Sequence, residues 1–269
     1  MKRVYPFPLH TNLNSMQIGS LYLVPNTLGS DNRVAQLPHV MPVENLRLIA
    51  KIKYWIVEDA KTSRAFLNAV HEIEPLHHSL QDMVMQEWRG PGRKHALSLK
   101  PQELLAPLQA GHDVGLLSEA GVPGVADPGA EIVQVAHQWG VKVKPLVGPS
   151  SILLGLMASG LNGQLFRFNG YLPVDTSERS KKLKELEETS KRHRETQLWI
   201  ETPYRNSAML QSCLSSLSPQ TRLCVAIDLT LSSEWVWTES IESWRKRYSK
   251  PEALSELVKN RPAIFLILA

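Results

Sequence analysis

The stretch LLSEAGVPGVADPG, residues 116–129, passes from an apolar, strand-like run straight into a loop rich in glycine and proline. Gly121, Gly124 and Gly129 allow positive φ and let a ligand approach the main chain with no Cβ in the way. The two prolines of the loop fix φ and keep the surrounding amides ordered. Such a loop either presents its backbone to a ligand or is a rigid connection between a strand and a helix, and its composition alone leaves both interpretations open.

The chain lacks the motifs of several well-known binding and catalytic sites, and we therefore disfavour those sites. Neither the G-x-G-x-x-G pattern of dinucleotide-binding proteins nor the Gly-Lys-Ser/Thr ending of the phosphate loop is present, so we expect no nucleotide bound through its phosphates. The GPSS stretch, 148–151, lacks the second glycine of a nucleophile elbow, which disfavours a serine hydrolase. His71, His77 and His78 have no matching carboxylate spacing, and we predict no metal site.

Short apolar runs alternate with helix-length amphipathic stretches in the first half of the chain. Because parallel strands can be joined only by crossing a sheet face, this alternation predicts a mostly parallel sheet flanked by helices. The second half predicts a mixed sheet, in which the last two strand candidates could pair antiparallel. The predicted strands are 21–24, 54–57, 113–117, 141–147, 196–201, 222–228, 234–238 and 263–268, and the predicted helices are 44–52, 62–71, 101–110, 130–139, 150–160 and 177–195.

Together these elements predict an α/β protein with two α/β domains. We expect an N-terminal domain over residues 16–149 and a C-terminal domain over 150–269, with residues 1–15 as a flexible arm. In parallel sheets ligands bind beyond the carboxyl ends of the strands. The loop 116–129 begins at such a strand end, so we expect it to lie at a ligand-binding edge.

The composition of the 269-residue chain limits its partners and its compartment. Lys and Arg exceed Asp and Glu by only 30 to 26, which permits an anionic partner but is weaker than in a dedicated nucleic-acid-binding domain. Two cysteines form neither a disulfide framework nor a zinc pattern. No apolar run is long enough to span a bilayer, so we expect a cytoplasmic protein with no membrane partner.

Polar side chains also follow two other predicted strands. Glu58 and Asp59 come directly after the apolar run YWIV, and Glu201 follows LWI. Acids at such places are also the usual first residues of a helix, because they interact favourably with the N-terminal amides. Convergence of these strand ends on one crevice requires a tertiary arrangement that the pattern does not specify.

Five motifs in order resemble the tetrapyrrole methylase superfamily, the class III methyltransferases that depend on S-adenosylmethionine (SAM). Within it, the chain looks like the RsmI-like branch of 16S ribosomal-RNA 2′-O-ribose methyltransferases. The resemblance runs from about Leu21 to the C-terminus. The motifs are LYLVPNTLGS, VEDAKTS, SEAGVPGVADPG with VKPLVGPSS, LFRFNGYLP, and WIETPYR with AIDLT.

The resemblance implies a homodimer of two-domain chains, each binding SAM in a cleft between its domains. A ribose hydroxyl must lose its proton when it is methylated. Placement at a strand end makes Asp59 and Glu58 our candidates for the base or for the group that orients the hydroxyl. The implied cofactor contacts are Leu28, Ala120, Gly121, Val122, Val125, Ser150, Ser151, Glu201, Leu229, Pro262 and Ala263.

Four features depart from the RNA-modifying branch. Leu231 stands where that branch tends to have Lys, Pro262 and Ala263 stand where it has Gly-Glu, and the acidic motif reads EDAKTS rather than EDTRHT. The chain also ends at Ala269 without the extra C-terminal segment common there. Two alternatives therefore stay open: a SAM-dependent methyltransferase of a tetrapyrrole or another small molecule, and a non-catalytic protein that binds SAM or RNA.

Two basic stretches bear on an RNA partner. Residues 178–195 carry seven Lys or Arg and five Glu, which is typical of a solvated helix. Residues 244–261 carry six basic and two acidic residues, with Trp244 and Tyr248 among them. Aromatic side chains among cations either stack on unpaired bases or pack at a domain edge.

Overall fold

A computed structural model describes residues 18–29, 31–90, 99–248 and 256–269; the predicted arm 1–15 lies outside these ranges. The strands are β1 (Leu21–Val24), β2 (Tyr54–Val57), β3 (Val84–Glu87), β4 (Val114–Leu117), β5 (Val143–Pro145), β6 (Phe166–Tyr171), β7 (Thr196–Ile200), β8 (Arg222–Ile227), β9 (Trp235–Ser240) and β10 (Ala263–Leu268). The helices are α1 (Arg33–Val40), α2 (Val43–Ile49), α3 (Ala60–His71), α4 (Pro101–Leu104), α5 (Ala106–Gln109), α6 (Gly129–Gln138), α7 (Ser151–Ser159), α8 (Thr176–His193), α9 (Asn206–Ser216) and α10 (Ile241–Arg247).

The first five strands form a parallel sheet in the order β3-β2-β4-β1-β5. Apolar clusters cover both of its faces, one around Trp55 and Phe66 and the other around Leu116 and Ile132. Strand β4 is buried at every position, as expected for a strand with helices on both faces. The predicted parallel sheet flanked by helices is confirmed.

The last five strands form a mixed sheet in the order β6-β7-β10-β8-β9, in which only β6 and β7 are parallel. Helices α8, α9 and α10 cover one face over a core that contains Trp199 and Phe265, and α7 packs on the other face. The predicted mixed sheet is confirmed. The proposed domain boundary after residue 149 stays a prediction.

The suggested pairing of the last two strands is wrong, because β8 lies between β9 and β10 and pairs with both. Four of the six residues of β10 are buried, whereas all of β9 is at least partly exposed. A strand that is apolar on both faces belongs in the interior of a sheet, and a half-exposed strand belongs at its edge.

The sequence pattern did not indicate α1, α10, β3 or β6 as helices or strands, and it merged α4 with α5. Helix α1 contains Pro38, and β3 is a four-residue strand with no buried position. Pro107 lies in the first turn of α5, where its missing N–H donor interrupts the predicted helix 101–110. Short or proline-containing elements have no clear periodic pattern in the sequence, so tertiary contacts decide whether they form.

Candidate functional site

Two adjoining cavities open between the ends of the two sheets. The smaller has a volume of about 310 Å³ and the larger a volume of about 680 Å³. Both are lined by Leu28, Ala120, Ser151, Tyr171 and Ile200, so they form one continuous cleft. Residues from both halves of the chain therefore meet at this place.

Every predicted cofactor contact lines this cleft. The sequence motifs that supply these contacts are spread over more than 200 residues, and the fold brings them together. Their role as ligand contacts stays a prediction. The smaller cavity contains Leu28, Ala120, Ser151, Glu201, Leu229, Pro262 and Ala263, and the larger contains Leu28, Ala120, Gly121, Val122, Val125, Ser150 and Ser151.

The loop after β4 forms a wall of the larger cavity and is anchored by Asn26. The Asn26 backbone N–H donates to the Gly121 carbonyl at 2.8 Å, and its side-chain amide donates to the Ser118 carbonyl at 3.0 Å. Asn26 is buried, so these bonds fix the loop against β1. The backbone of the loop is thereby held in place before any ligand binds.

The glycines of the loop have different roles. Gly121 and Gly124 have φ of +69° and +79°, as their sequence context predicted. Gly129 does not take positive φ; it begins α6, where a Cβ would lie 2.9 Å from Asp127 Oδ1. Ala126 takes positive φ instead.

Asp127 closes the turn of this loop. Its Oδ1 accepts hydrogen bonds from the backbone N–H groups of Gly124 and Gly129, each at 2.7 Å. Burial raises the pKa of Asp127, and the two backbone hydrogen bonds oppose that rise. The carboxyl group therefore acts as an internal brace of the loop.

Asp59 caps helix α3 and forms an ion pair with Arg89. Its Oδ1 accepts from the backbone N–H of Lys61 at 2.9 Å and of Thr62 at 3.0 Å, and its Oδ2 lies 3.1 Å from Arg89 Nη2. The Thr62 amide is the main cause that lowers the pKa of Asp59, and Arg89 contributes. Asp59 thus performs the helix-capping role that its position allowed.

Glu58 lines the larger cavity, whereas Asp59 lines neither cavity. Glu58 Oε1 accepts from the Glu119 backbone N–H at 3.3 Å, and the Glu58 carbonyl accepts from Arg89 Nε at 2.9 Å. Arg89 lines the same cavity. The structure therefore separates the two candidate carboxylates: one faces the cavity and the other supports the turn that carries it.

The smaller cavity is mainly apolar, with walls that include Leu229 and Ile264. A buried ion pair fixes the turn after β7: Glu201 Oε1 lies 2.6 Å from Arg205 Nη2 and accepts from the Thr202 backbone N–H at 2.7 Å. The side chain of Glu201 is fully buried. Glu201 therefore shapes the main chain at the floor of the cavity.

Arg89, Tyr171 and Asp228 are among the residues that line the cleft but were not predicted as site residues from the sequence. Tyr171 lies in the motif LFRFNGYLP and Asp228 in AIDLT, so their motif position was a usable signal. Arg89 follows β3, a strand whose sequence has no periodic apolar pattern. Within the described part of the chain, no cluster of three or more His, Cys, Asp or Glu could hold a metal ion, and no helix is long and apolar enough to cross a membrane.

Comparison with known proteins identifies relatives of the chain, although no family model matches it. It is 31% identical over 216 residues to the ribosomal RNA small subunit methyltransferase I of Vibrio cholerae, and the match covers 80% of this chain and 67% of that protein. It is 33% identical to the protein of the same name from a Synechocystis species, where the match covers 54% of this chain and 50% of the relative. The chain thus spans about half the length of that second relative.

A solved structure shares the fold. The uroporphyrin III C-methyltransferase of Thermus thermophilus superposes with a TM-score of 0.51 at 16% identity, covering 93% of this chain and 97% of that one. The five motifs and the match to the Vibrio protein indicate the same family, and the two-sheet architecture is consistent with it. The chain therefore belongs to the ribosomal RNA small subunit methyltransferase I family, and it shares its fold with a uroporphyrin III C-methyltransferase.

Proposed function

We propose that this protein transfers the methyl group of SAM to a ribose 2′-oxygen of small-subunit ribosomal RNA. The observation that carries this proposal is the cleft, in which the predicted cofactor contacts line both cavities and the larger cavity also bears carboxylates. The names of the relatives, ribosomal RNA small subunit methyltransferase I, support the substrate class.

The residues of the cleft fit SAM. The apolar walls of the smaller cavity, which include Leu28, Leu229 and Ile264, suit the flat face of an adenine base. Gly121, with its φ of +69°, leaves the backbone of the loop accessible to the ligand. SAM supplies a methyl group that is already activated by its sulfonium. The main task of the chain is therefore to align the substrate oxygen, and positioning alone supplies several orders of magnitude in rate.

Glu58 and Asp59 divide the remaining work in this proposal. Glu58 lines the larger cavity and accepts the proton of the ribose hydroxyl or orients it. Asp59 lines neither cavity and has a lowered pKa, which makes it a weak base, so we assign it to supporting the turn that carries Glu58. Arg89 contacts both residues and holds the Glu58–Asp59 turn.

The positions that depart from the RNA-modifying branch lie away from the larger cavity. Leu231, Pro262 and Ala263 line the smaller cavity. Ser63 is buried in α3, where its Oγ donates to the Asp59 carbonyl at 2.7 Å. These departures lie at the smaller cavity and in α3, so they do not alter the lining of the larger cavity, where we propose that the substrate enters.

We also propose a cytoplasmic homodimer that associates through helix α7. This helix is almost entirely apolar, yet Leu153 is 52% and Met157 is 78% exposed, and the two lie one turn apart on the same side. A helix that is apolar all round is normally buried. We expect Leu153→Glu with Met157→Glu to convert a dimer into a folded monomer in sedimentation velocity; an unchanged dimer would exclude this surface.

The function is tested by methyl transfer from labelled SAM. Small ribosomal subunits, free RNA and a small-molecule extract, each from cells that lack this protein, are incubated separately with it, and the label is located by mass spectrometry. We expect the label on a ribose of small-subunit RNA. Label only in the small-molecule extract would move the function to the tetrapyrrole-like alternative. SAM binding without any transfer would favour a non-catalytic binding protein.

A further inference from the structure

Two exposed tyrosines stand at the mouth of the cleft. Tyr171, the last residue of β6, lines both cavities and is 57% exposed. Tyr204 lies in the 3₁₀ turn Pro203–Arg205 that follows β7 and is 72% exposed, and its neighbour Pro203 lines the smaller cavity. Exposed aromatic rings beside a ligand cavity are typical of binding surfaces, because they offer a large contact area at a low entropic cost.

Arg205 holds this rim rigidly. Its guanidinium carbon lies 5.5 Å from the centre of the Tyr204 ring, within the range of a cation–π contact. The same guanidinium is bound to the buried carboxylate of Glu201, with Nε donating to Oε1 at 2.8 Å. Tyr171 pairs with Ile200 across the β6–β7 ladder, and Tyr171 and Pro203 line the same smaller cavity, so both tyrosines stand on the same side of the cleft.

The charge of the larger cavity indicates which part of an RNA it accepts. Glu58, Glu119 and Asp127 line it, and Arg89 is the one Lys or Arg among its described lining residues. Phosphates are disfavoured beside three carboxyl groups, whereas the neutral hydroxyls of a ribose are suitable hydrogen-bond partners. The base attached to that ribose then needs a place outside the cavity, and the exposed ring of Tyr171, which lines both cavities, lies between the larger cavity and the turn that carries Tyr204.

The aromatic residues of the basic C-terminal stretch do not provide that place. Trp244 is fully buried, donates its indole N–H to the Leu223 carbonyl at 2.9 Å and stacks on Tyr248 at 5.4 Å between ring centres. Trp244 therefore packs at the edge of the sheet and is not available to stack on an unpaired base. The described aromatic residues at the cleft mouth are Tyr171 and Tyr204.

We propose that Tyr204 and Tyr171 stack on an unpaired nucleobase of the RNA, next to the ribose that enters the larger cavity. This inference rests on the proposed function. Every base has an aromatic face, so stacking binds an unpaired nucleotide whatever its identity, while a base inside a duplex is not accessible to it. The protein then selects single-stranded over fully paired RNA.

Tyr204 offers the sharper test, because it is exposed and lines neither cavity. The full chain, its Tyr204→Ala variant and its Tyr204→Phe variant are titrated with a short single-stranded RNA, with the blunt duplex of the same sequence, and with S-adenosylhomocysteine. We expect Tyr204→Ala to weaken binding of the single strand by about 5- to 150-fold, the range that stacking on one base supplies. We expect Tyr204→Phe, which keeps the ring, to bind like the wild type, and the affinity for S-adenosylhomocysteine to stay unchanged in both variants.

The failures of this inference and of the proposed function are distinguishable. If the wild type labels ribosomal RNA but Tyr204→Ala binds the single strand equally well, the stacking surface is wrong and the function stands. If the wild type labels no RNA, the function is wrong and the stacking proposal falls with it. If Tyr204→Ala turns a dimer into a monomer, the rim is a contact between two copies of the chain and the inference is overturned.

Discussion

The two cavities of the cleft meet at shared residues but are built from different parts of the chain. The smaller cavity lies at the strand ends of the mixed sheet, and its walls are mainly apolar residues such as Leu229 and Ile264. The larger cavity is formed mostly by loops of the parallel sheet and carries Glu58, Glu119 and Asp127. One region is suited to hold an apolar ring, and the other is suited to bind hydroxyl groups and move protons.

The two regions also differ in what stabilises them. The wall of the smaller cavity continues into a buried apolar cluster that includes Leu266 and Ala226, so core packing fixes its shape. The wall of the larger cavity depends on hydrogen bonds of Asn26 and Asp127 to loop backbone. Substitutions of the apolar residues in the first region should therefore change binding of the cofactor, and substitutions of the carboxylates in the second should change turnover.

The largest effect is expected where the two cavities meet. Ala120 lines both and is exposed, so Ala120→Trp fills the junction without disturbing the core. We expect binding of S-adenosylhomocysteine and methyl transfer to fall below detection, as measured by calorimetry and by the labelling assay, with an unchanged melting temperature. Ala110→Trp, at an exposed alanine that lines neither cavity, is the control and should bind normally. Normal binding by Ala120→Trp would show that the ligand lies elsewhere.

The second-largest expected effect distinguishes the role of the larger cavity from that of the smaller one. Glu58→Gln should lower kcat by about 100-fold, because the group that receives or orients the hydroxyl proton is neutralised. The affinity for SAM should stay close to that of the wild type, since Glu58 is not among the predicted cofactor contacts and faces the part of the larger cavity that also holds Glu119. Glu119→Gln is the matched control, a carboxylate of the same cavity that accepts a hydrogen bond from Thr62. Equal losses in the two variants would contradict a specific role for Glu58.

The smallest effect concerns the support of the larger cavity. Asp59→Asn keeps an acceptor for the α3 cap but removes the ion pair with Arg89. The pKa of Asp59 is lowered in the folded protein, so its ionised form stabilises the fold above the ordinary carboxyl pKa of about 3.9. That stabilisation is lost as the pH falls through the lowered value.

Urea unfolding at a series of pH values measures this contribution. At pH 7 we expect the wild type to exceed Asp59→Asn by less than about 1 kcal/mol in free energy of unfolding, because the pair is more than a third exposed. The difference should disappear below the folded pKa. A difference that is the same at neutral and acid pH would attribute the effect to packing rather than to charge.

The long and strongly patterned elements were predictable from the sequence. Strands β1, β2 and β10 match their predicted ranges because continuous apolar runs specify buried strands. The family followed from five motifs and is confirmed by the Vibrio relative. Helix α1 and strand β3 were missed because a proline and a lack of buried positions remove the periodic signal.

The candidate site was predictable only in part. Motif position identified the residues that line the cleft, but it could not distinguish Glu58, which faces the cavity, from Asp59, which caps α3. Adjacent residues at a strand end point in different directions, and the difference depends on where the following helix begins. The catalytic roles of both residues stay predictions.

The sequence by itself determined the α/β class, the parallel and mixed sheets, the family and the loop 116–129, because apolar periodicity and glycine and proline chemistry act over short distances. Only the tertiary structure decided that β8 lies between β9 and β10, that Trp244 is a core residue, and that Tyr171 and the turn carrying Tyr204 meet beside the smaller cavity. These outcomes depend on contacts between residues far apart in the chain, where burial and partner choice are set by the whole fold and not by local pattern.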